Sequence, residues 1–371
     1  MYVNVESIFR PLQIGPVTAL NRLMRSATYE GAADAEGLPL AGPMTRIYRD
    51  LARGGIGLIV TGHVFVRPQG RAGPRQTGFA TDEQARAWEP ILAAVRAESS
   101  CPVFVQLNYA GRQGYTHGLM PARNDKRERF PPPGTPFVEF FDRQMENVIR
   151  AFEEAARRAV QVGFDGVQLH MAHGFLLSEC LSFHTNKRSD QWGGESPENR
   201  RRLPLAVTER VRAAIGQALA LAVKLNGSDF LEPDGVAPAE AAETACQLAA
   251  RGVQLIEVSS SMADSSLGAA REVAGPQAEG YLLPLAREVA RRVDVAVATV
   301  GGYRTAPAML KALGEGLDLV SLSRPLIREP DLPRRIERNS SYEARCTSCN
   351  KCFGIPEGAV RCPLDHAEPL D

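Results

Sequence analysis

The feature of this sequence that most constrains its fold is a regular alternation of short apolar runs with longer segments of helical pattern. Runs such as VFVQL, LIEVS and VAVATV are continuously apolar, as expected of parallel strands that line a barrel and are covered by helices outside it. This alternation indicates parallel strands joined by helical crossovers. Eight candidate strands can be counted: Arg22–Thr28, Gly57–Gly62, Pro102–Asn108, Asp165–His170, Leu221–Asn226, Gln254–Ser259, Val295–Val300 and Asp318–Ser323.

Eight βα units predict an α/β fold of the (β/α)8 TIM-barrel class, with an open doubly wound sheet as the alternative. One helical pattern places seven apolar residues on a single face: Met145, Val148, Ile149, Phe152, Ala155, Ala156 and Ala159. We expect the barrel to span residues 1–333 and a C-terminal cysteine-rich extension to span residues 334–371. The irregular stretch Tyr109–Thr135 follows the third strand and is interpreted as a cap over the barrel rim, although its basic run also suits a solvated surface.

Charge and composition exclude several classes of function. The 371 residues contain 43 basic and 43 acidic side chains, so no net field attracts nucleic acid or an anionic membrane. No signal peptide or bilayer-spanning run is recognisable, and we expect a cytoplasmic protein. We further expect a homo-oligomer that acts on a small molecule.

Chemistry in such barrels takes place at the carboxyl ends of the strands. After strands seven and eight stand Gly301-Gly302 and Ser323-Arg324. Glycines let the backbone approach a ligand closely, and an arginine can bind phosphate through two nitrogens. Gly-Gly alone is more often a simple turn, but the combination with Arg324 predicts a phosphate site.

Other strand ends carry polar residues whose interpretation has alternatives. Lys224 ends the apolar run ALAVKLN, where it either faces an anionic ligand or forms an ion pair with a neighbouring carboxylate. Gln106 presents both a donor and an acceptor. His170 and His173 form an H-x-x-H pair, which metal sites and protein cores also contain, but which at a barrel mouth suits a carbonyl or carboxylate oxygen.

Four of the seven cysteines crowd the C-terminus in the segment CTSCNKCFGIPEGAVRC. Cys346, Cys349, Cys352 and Cys362 have C-x2-C-x2-C-x9-C spacing. Three thiolates on a two-residue stride and a fourth after a loop can hold a [4Fe–4S] cluster. Structural zinc and free or redox-active thiols are the alternatives.

Long motifs make the chain resemble a known family. The segment GFDGVQLHMAHGFLLSECLSFHTNKRSDQWGGESPENRRR resembles the signature of the old yellow enzyme family, the NADH:flavin oxidoreductases. NRLMRSATYEG, LARGGIGLIVTGHVFVRPQGR, VQLNYAGRQ, VKLN, VGG and SLSRPLIREPDLP also match, in the family's order. The cysteine tail resembles the iron–sulfur branch, which includes 2,4-dienoyl-CoA reductases, enoate reductases and trimethylamine dehydrogenases.

The resemblance implies flavin mononucleotide (FMN) as cofactor, NAD(P)H as reductant and reduction of activated C=C bonds in enone- or enoate-like compounds. The chain contains no G-x-G-x-x-G segment, so NAD(P)H is expected at the same flavin face in a ping-pong order. His170 and His173 would bind the electron-withdrawing group of the substrate. The implied flavin-binding residues are Ser26, Ala27, Thr28, Gly62, Gln106, Lys224, Gly301, Gly302, Ser323 and Arg324.

Two departures limit this interpretation. The family's usual proton donor is the tyrosine of HGYLL, and Phe175 stands at that position. Tyr29 stands closest to the position where many relatives place a cysteine or threonine against the ring, and a shifted alignment favours Thr28. The candidate proton donors are therefore Tyr29, Tyr109, Tyr115 or a bound water. Phe175 and the tail cysteines also leave open an amine or C–H dehydrogenase that passes electrons through a cluster. An electron-transfer flavoprotein that serves a protein partner is a further alternative.

Overall fold

The computed structural model describes residues 4–114, 142–262, 264–268, 270–354 and 358–365, with the side chains of 142–144 excepted. Its centre is a closed barrel of eight parallel strands in the order β10-β3-β4-β5-β6-β7-β8-β9. The predicted TIM barrel is therefore confirmed, and the open sheet is excluded. Most of the expected cap over the rim lies outside the described residues.

A two-stranded antiparallel hairpin precedes the barrel, formed by β1 (Leu12–Ile14) and β2 (Val17–Ala19). The barrel strands are β3 (Leu23–Arg25), β4 (Leu58–Phe65), β5 (Val103–Asn108), β6 (Gly166–Met171), β7 (Ala220–Asn226), β8 (Leu255–Ser259), β9 (Ala296–Val300) and β10 (Leu319–Leu322). The helices are α1 (Ala41–Arg53), α2 (Asp82–Arg86), α3 (Glu89–Arg96), α4 (Asp142–Val162), α5 (Leu176–Leu181), α6 (Pro197–Ile215), α7 (Pro238–Ala249), α8 (Leu283–Ala290), α9 (Ala306–Gly314), α10 (Arg324–Arg328) and α11 (Leu332–Arg338). Short 3-10 turns lie at Val5–Phe9, Pro68–Gly70, Gly111–Gln113, Pro276–Ala278 and Lys351–Gly354.

Apolar packing fills both sides of the barrel wall. Outside, all seven residues of the predicted α4 face are buried in the layer between helices and strands. Inside, a second cluster joins strand residues such as Leu58 and Phe104 to Ile14 and Ala19 of the hairpin. The hairpin therefore closes the amino-terminal end of the barrel, which leaves the opposite end for a ligand. No helix among the described residues is long and apolar enough to span a bilayer.

Two strands differ from their predicted bounds in ways that matter for the rim. β3 ends at Arg25, so the segment from Ser26 to Thr28 already belongs to the loop above the barrel. β4 continues to Phe65, and its pairing register with β5 shifts between Val60 and His63. Such a bulge adds a residue to one strand and redirects the side chains that follow. His63 consequently pairs with Gln106.

Glu30 stabilises the contact between the short strand β3 and its neighbour β4. Its buried carboxylate accepts hydrogen bonds from Arg25 (3.2 Å) and from the backbone of Gly62 (2.8 Å), and also from the Tyr48 hydroxyl of α1. The Glu30 carbonyl accepts a hydrogen bond from the backbone of Val360 at 2.7 Å. One residue thereby connects β3, β4, α1 and the C-terminal extension. The domain boundary at 333/334 stays a prediction.

We expect Glu30→Gln to lower the free energy of unfolding by roughly 3–5 kcal/mol, because the change leaves the buried Arg25 guanidinium without its counter-charge. Denaturant unfolding followed by circular dichroism measures the effect. Glu36→Gln, at an exposed position on the same loop, is the matched control and should shift stability by no more than about 0.5 kcal/mol. Equal effects of the two changes would contradict this role for Glu30.

Candidate active site

A cavity of about 200 Å³ opens at the carboxyl ends of the strands. Nine of the residues predicted for the site line it: Ser26, Ala27, Thr28, Tyr29, His173, Lys224, Gly302, Ser323 and Arg324. Tyr281, Tyr303 and Phe353 complete part of its wall. Gly62, Gln106, His170 and Gly301 lie outside this lining. The cavity therefore lies at the end of the barrel where the site was predicted, and half of its eighteen lining residues belong to the predicted set.

The floor of the site contains a buried ion pair. Lys224 and Glu257 are register partners on β7 and β8, and the Lys224 ammonium lies 2.8 Å from Glu257 Oε1. Their side chains are 4% and 0% exposed. Of the two interpretations of Lys224, the ion pair is thus present in the structure. Burial alone raises the pKa of Glu257, but the ammonium and its hydrogen bonds prevail and hold that pKa below the ordinary value.

Hydroxyl groups from β10 and from the loop after β3 complete this ion pair. Ser26 Oγ donates to Glu257 Oε1 at 2.6 Å and accepts from the Lys224 ammonium at 2.6 Å. Ser321 Oγ donates to the same carboxylate oxygen at 2.7 Å. Buried charges are tolerated when hydrogen bonds satisfy their remaining lone pairs and protons. The cluster meets this condition.

A chain of amide hydrogen bonds runs from this carboxylate to Gln106. A carboxylate only accepts hydrogen bonds, so Gln168 must present its NH2 group to Glu257 Oε2, at 3.0 Å. Gln168 Oε1 then accepts from Gln106 Nε2 at 2.6 Å. Gln106 Oε1 is left as a buried acceptor with no partner among the described residues. The network thereby selects the orientation of the Gln106 amide.

The glycine positions have different roles. The Gly62 N–H is donated to Glu30, and a Cβ at Gly62 would lie 2.0 Å from Glu30 Oε2. Gly301 and Gly302 have φ values of 147° and 75°, which side-chain-bearing residues rarely adopt. Gly302 also has no room for a side chain, because a Cβ would lie 2.4 Å from Val273. The Gly-Gly turn is therefore required by its geometry, and Gly302 brings backbone to the cavity wall.

Arg324 separates this cavity from a second one. Its Nη1 atom donates to the carbonyls of Arg271 (2.7 Å) and Ser348 (3.1 Å) and to Asn350 Oδ1 (2.7 Å). Nε and Nη2 make no hydrogen bond to the part of the chain that the structure describes. Ser323 contacts Thr28 through their hydroxyl oxygens at 2.8 Å. One edge of the guanidinium therefore holds the cysteine-bearing extension, and the other edge remains for a ligand.

The second cavity is lined by all four tail cysteines together with Arg324. Ser348 and Asn350, between the cysteines, adopt φ values of 56° and 61° and fold the segment back on itself. Among the described residues, however, no three cysteine, histidine or carboxylate side chains converge closely enough to hold a single metal ion. The four cysteines predicted from their spacing are thus neighbours in the structure, and the structure does not define what they bind.

Imidazoles and aromatic rings form a cluster beside the cavity, here called the aromatic wall; Tyr29 and His173 line the cavity, and His63, His170 and Phe175 pack next to them. The rings of His170 and His173 are 5.2 Å apart, and Phe175 lies 4.8 Å from His170. Burial, together with nearby positive charge, lowers the pKa of His170 well below its usual value and that of His173 to about 3. His173 Nε2 lies 2.7 Å from Ser259 Oγ, whereas His170 Nδ1 is buried without a partner in the described residues. Both imidazoles are neutral at pH 7.

Tyr29 and His63 continue this wall. Their rings are stacked with centroids 5.5 Å apart, and His63 lies 5.1 Å from Phe175. Burial and the neighbouring Glu30 raise the pKa of Tyr29 to about 12. Phe175 therefore lies among the residues predicted for the site.

Sequence reasoning overlooked Glu257, Gln168 and Ser321. Glu257 carried the same signal as Lys224, a charge inside a continuously apolar run, LIEVS. Two opposite charges one strand apart are expected to pair when both are buried. Gln168 in GVQLH had a weaker signal, because only the register with Gln106 reveals its role.

We expect Lys224→Met to lower the free energy of unfolding by roughly 3–5 kcal/mol at neutral pH, since it leaves a buried carboxylate unpaired. The pKa of the freed Glu257 should then rise, so the loss shrinks as the pH falls and the carboxyl takes up a proton. Urea titrations across an acidic pH series measure this. Lys224→Met/Glu257→Leu should recover much of the lost stability, and a double variant as unstable as the sum of both singles would contradict the pairing.

Comparison with known proteins shows the family to which the chain belongs. Residues 7–343 match the sequence profile of the NADH:flavin oxidoreductase / NADH oxidase family. The 4,4'-dithiodibutanoate disulfide reductase of Rhodococcus erythropolis is 29% identical over 97% of this chain and 96% of its own length. The NADH oxidase of Thermoanaerobacter brockii is 31% identical over 94% of this chain, which spans 54% of that protein.

Among solved structures, a 2-naphthoyl-CoA reductase complex superposes with a TM-score of 0.83 at 25% identity, covering 94% of this chain and 55% of its own. The chain thus spans about half the length of two of these three proteins. The profile match extends over nearly the whole barrel, and the relatives are oxidoreductases by name. The chain belongs to the NADH:flavin oxidoreductase / NADH oxidase family.

Proposed function

We propose that this enzyme uses FMN and NAD(P)H to reduce activated C=C bonds in α,β-unsaturated carbonyl compounds. The observation that carries the proposal is the pair of buried, neutral imidazoles of His170 and His173 in the aromatic wall beside the cavity. Neutral imidazoles donate hydrogen bonds without bringing a charge, which suits a carbonyl oxygen that gains negative charge during the reaction.

The residues present fit an FMN molecule. Gln106 Oε1 is a buried acceptor without a partner among the described residues, and it suits the N–H of a pyrimidine-like ring edge. Arg324 keeps two guanidinium nitrogens for a phosphate beside the Gly302 backbone. The proposed flavin-binding set is Ser26, Ala27, Thr28, Gly62, Gln106, Lys224, Gly301, Gly302, Ser323 and Arg324. When bound, FMN supplies a hydride taken from NAD(P)H, in a ping-pong order.

Lys224 acts differently from a free cation in this proposal. Because Glu257 neutralises it, the floor offers hydrogen-bond donors to a ligand but little net positive charge. His170 and His173 then orient the substrate through its oxygen, and Tyr29 stays a candidate acid. The cytoplasmic location and the homo-oligomer stay predictions.

A second candidate function is dehydrogenation of an amine or a C–H bond, or transfer of electrons to a protein partner. The observation that favours it is that Arg324 lines both the proposed flavin cavity and the cysteine cavity. Cys346, Cys349, Cys352 and Cys362 would hold a [4Fe–4S] cluster, which supplies one-electron transfer. Thiolates of a cluster bind separate iron atoms, so they need not converge as zinc ligands do. Iron, zinc and sulfide analysis with an anaerobic visible spectrum tests this alternative.

The amide chain predicts how FMN binding depends on Gln168, a residue outside the cavity lining. Gln168→Leu should weaken FMN binding to the apoprotein about fivefold, because Gln106 loses the contact that orients its amide and a hydrogen bond is worth about 1 kcal/mol. Quenching of FMN fluorescence on titration measures the dissociation constant. Gln217→Leu at an exposed position is the control. Unchanged affinity in Gln168→Leu would contradict the amide chain.

The imidazole pair predicts the binding of substrate-like phenols. His170→Ala and His173→Ala should each weaken the charge-transfer complex with a para-substituted phenol by roughly 1–3 kcal/mol, because each removes a donor to a buried oxyanion. Spectral titration of the flavoprotein gives the affinities, and stopped-flow mixing with NAD(P)H should give a nearly normal rate of flavin reduction. If phenol binding survives the double change, the pair is structural and the proposed substrate site is wrong.

A further inference from the structure

His63 has a position for which the proposed function gives no role so far. It follows the bulge on β4, which places its ring between Tyr29 and Phe175, with centroids 5.5 Å and 5.1 Å away. Its ring also lies 6.1 Å from His170. His63 therefore belongs to the wall on which the substrate oxygen and Phe175 are placed.

Two amide groups determine which ring nitrogen of His63 carries the proton. Gln76 Oε1 accepts from the Ala72 backbone at 2.6 Å, so Gln76 Nε2 must face His63, where it lies 2.7 Å from Nδ1 and 3.1 Å from the carbonyl oxygen. Asn108 Nδ2 lies 3.4 Å from the same nitrogen. If the Gln76 amide were rotated, its oxygen would face the His63 carbonyl oxygen and its NH2 group would face the Ala72 N–H, and both contacts would be repulsive. Nδ1 is consequently an acceptor, and the proton is on Nε2.

The Nε2–H group of His63 is available to donate a hydrogen bond or a proton. It forms no hydrogen bond to any residue in the described part of the chain, and it is not among the fully buried atoms without a partner. Burial lowers the pKa of His63 to about 4, so the ring is neutral at pH 7 and carries a single N–H. Gln76 and Asn108 are themselves fully buried, which holds the donors on Nδ1 in place.

We propose that His63 Nε2–H is the proton donor to the α-carbon of the substrate, in the place that a phenol at position 175 would occupy. The inference rests on the proposed function. NAD(P)H is the reductant, and its hydride reaches the β-carbon. At the α-carbon a C–H bond forms as the Nε2–H bond breaks, the electron pair stays on the imidazole, and water returns the proton.

The surroundings of Nδ1 make a neutral imidazole a usable acid. Hydrogen bonds to the charged form of a group favour that form, and both amide donors on Nδ1 stabilise the imidazolate left when Nε2 loses its proton. Tyr29 is less well placed. Its hydroxyl lies against the loop at Gly73, 3.4 Å from the position of a Cβ there, and it accepts a hydrogen bond from the Arg75 backbone.

The test compares His63→Phe, Tyr29→Phe and His63→Phe/Phe175→Tyr in the FMN-loaded enzyme. His63→Phe keeps an aromatic ring between Tyr29 and Phe175 but removes the proton. We expect it to slow reoxidation by 2-cyclohexenone in stopped-flow mixing by about 10²–10⁴-fold, the usual contribution of a general acid. Reduction by NAD(P)H, which takes no proton from His63, should slow far less than the enone step. The double variant should recover most of the rate, because the new phenol supplies the proton.

Several results would overturn the inference. The first is a normal rate of reoxidation by 2-cyclohexenone in His63→Phe. The second is a loss of that rate in Tyr29→Phe alone, and the third is a double variant that stays as slow as His63→Phe. Independently of activity and of any variant, nitrogen-15 NMR of histidine-labelled enzyme should show His63 as the Nε2–H tautomer, and an Nδ1–H tautomer would contradict the proposal. If the wild-type enzyme reduces no enone, the proposed function fails together with this inference. If it does and His63→Phe matches it, only the inference fails.

Discussion

The buried ion pair between Lys224 and Glu257 is the interaction on which the carboxyl-terminal half of the barrel depends. Neither charge is tolerable alone at this depth, because the cost of removing an ion from water is several kcal/mol. The two side chains meet because their strands are in register. Their remaining hydrogen bonds are then satisfied by Ser26, Gln168 and Ser321, which come from three other parts of the barrel. A single charge requirement thus connects four barrel strands and the loop after β3.

The fold was predictable because it depends on patterns that are local in the sequence. All eight strands were found from their apolar runs, and the buried face of α4 followed from helical periodicity. The errors lay where the backbone departs from regular pairing. β3 stops after Arg25, and the bulge in β4 carries that strand to Phe65. A bulge depends on what two strands can pair across the sheet, and no periodicity within one strand reveals it.

The position of the candidate cavity at the strand ends was predictable, but the hydrogen bonds within it were not. Residues at strand ends were found because a barrel brings those ends together, and Lys224 was found because a charge in an apolar run needs a reason. Glu257 was missed although its signal was equal. The partner of Glu257 can be identified only when the pairing register of β7 and β8 is known, and Gln168 can be identified only from the register of β5 and β6. The direction of each hydrogen bond decides the orientation of Gln106 and the tautomer of His63. That direction depends on partners that are distant in the sequence, so it can be assigned only from the folded structure.

One feature of the extension has a consequence for the thermodynamics of the whole enzyme. Arg324 holds Ser348 and Asn350 with one edge of its guanidinium and faces the larger cavity with the other. Two sites that share a side chain cannot be filled independently. If an occupant of the cysteine cavity strengthens the hold of the tail on Arg324 and thereby changes the affinity for an anion next door, the anion changes the affinity for that occupant by the same factor. The occupancy of one cavity is then thermodynamically linked to the occupancy of the other, whatever fills each of them.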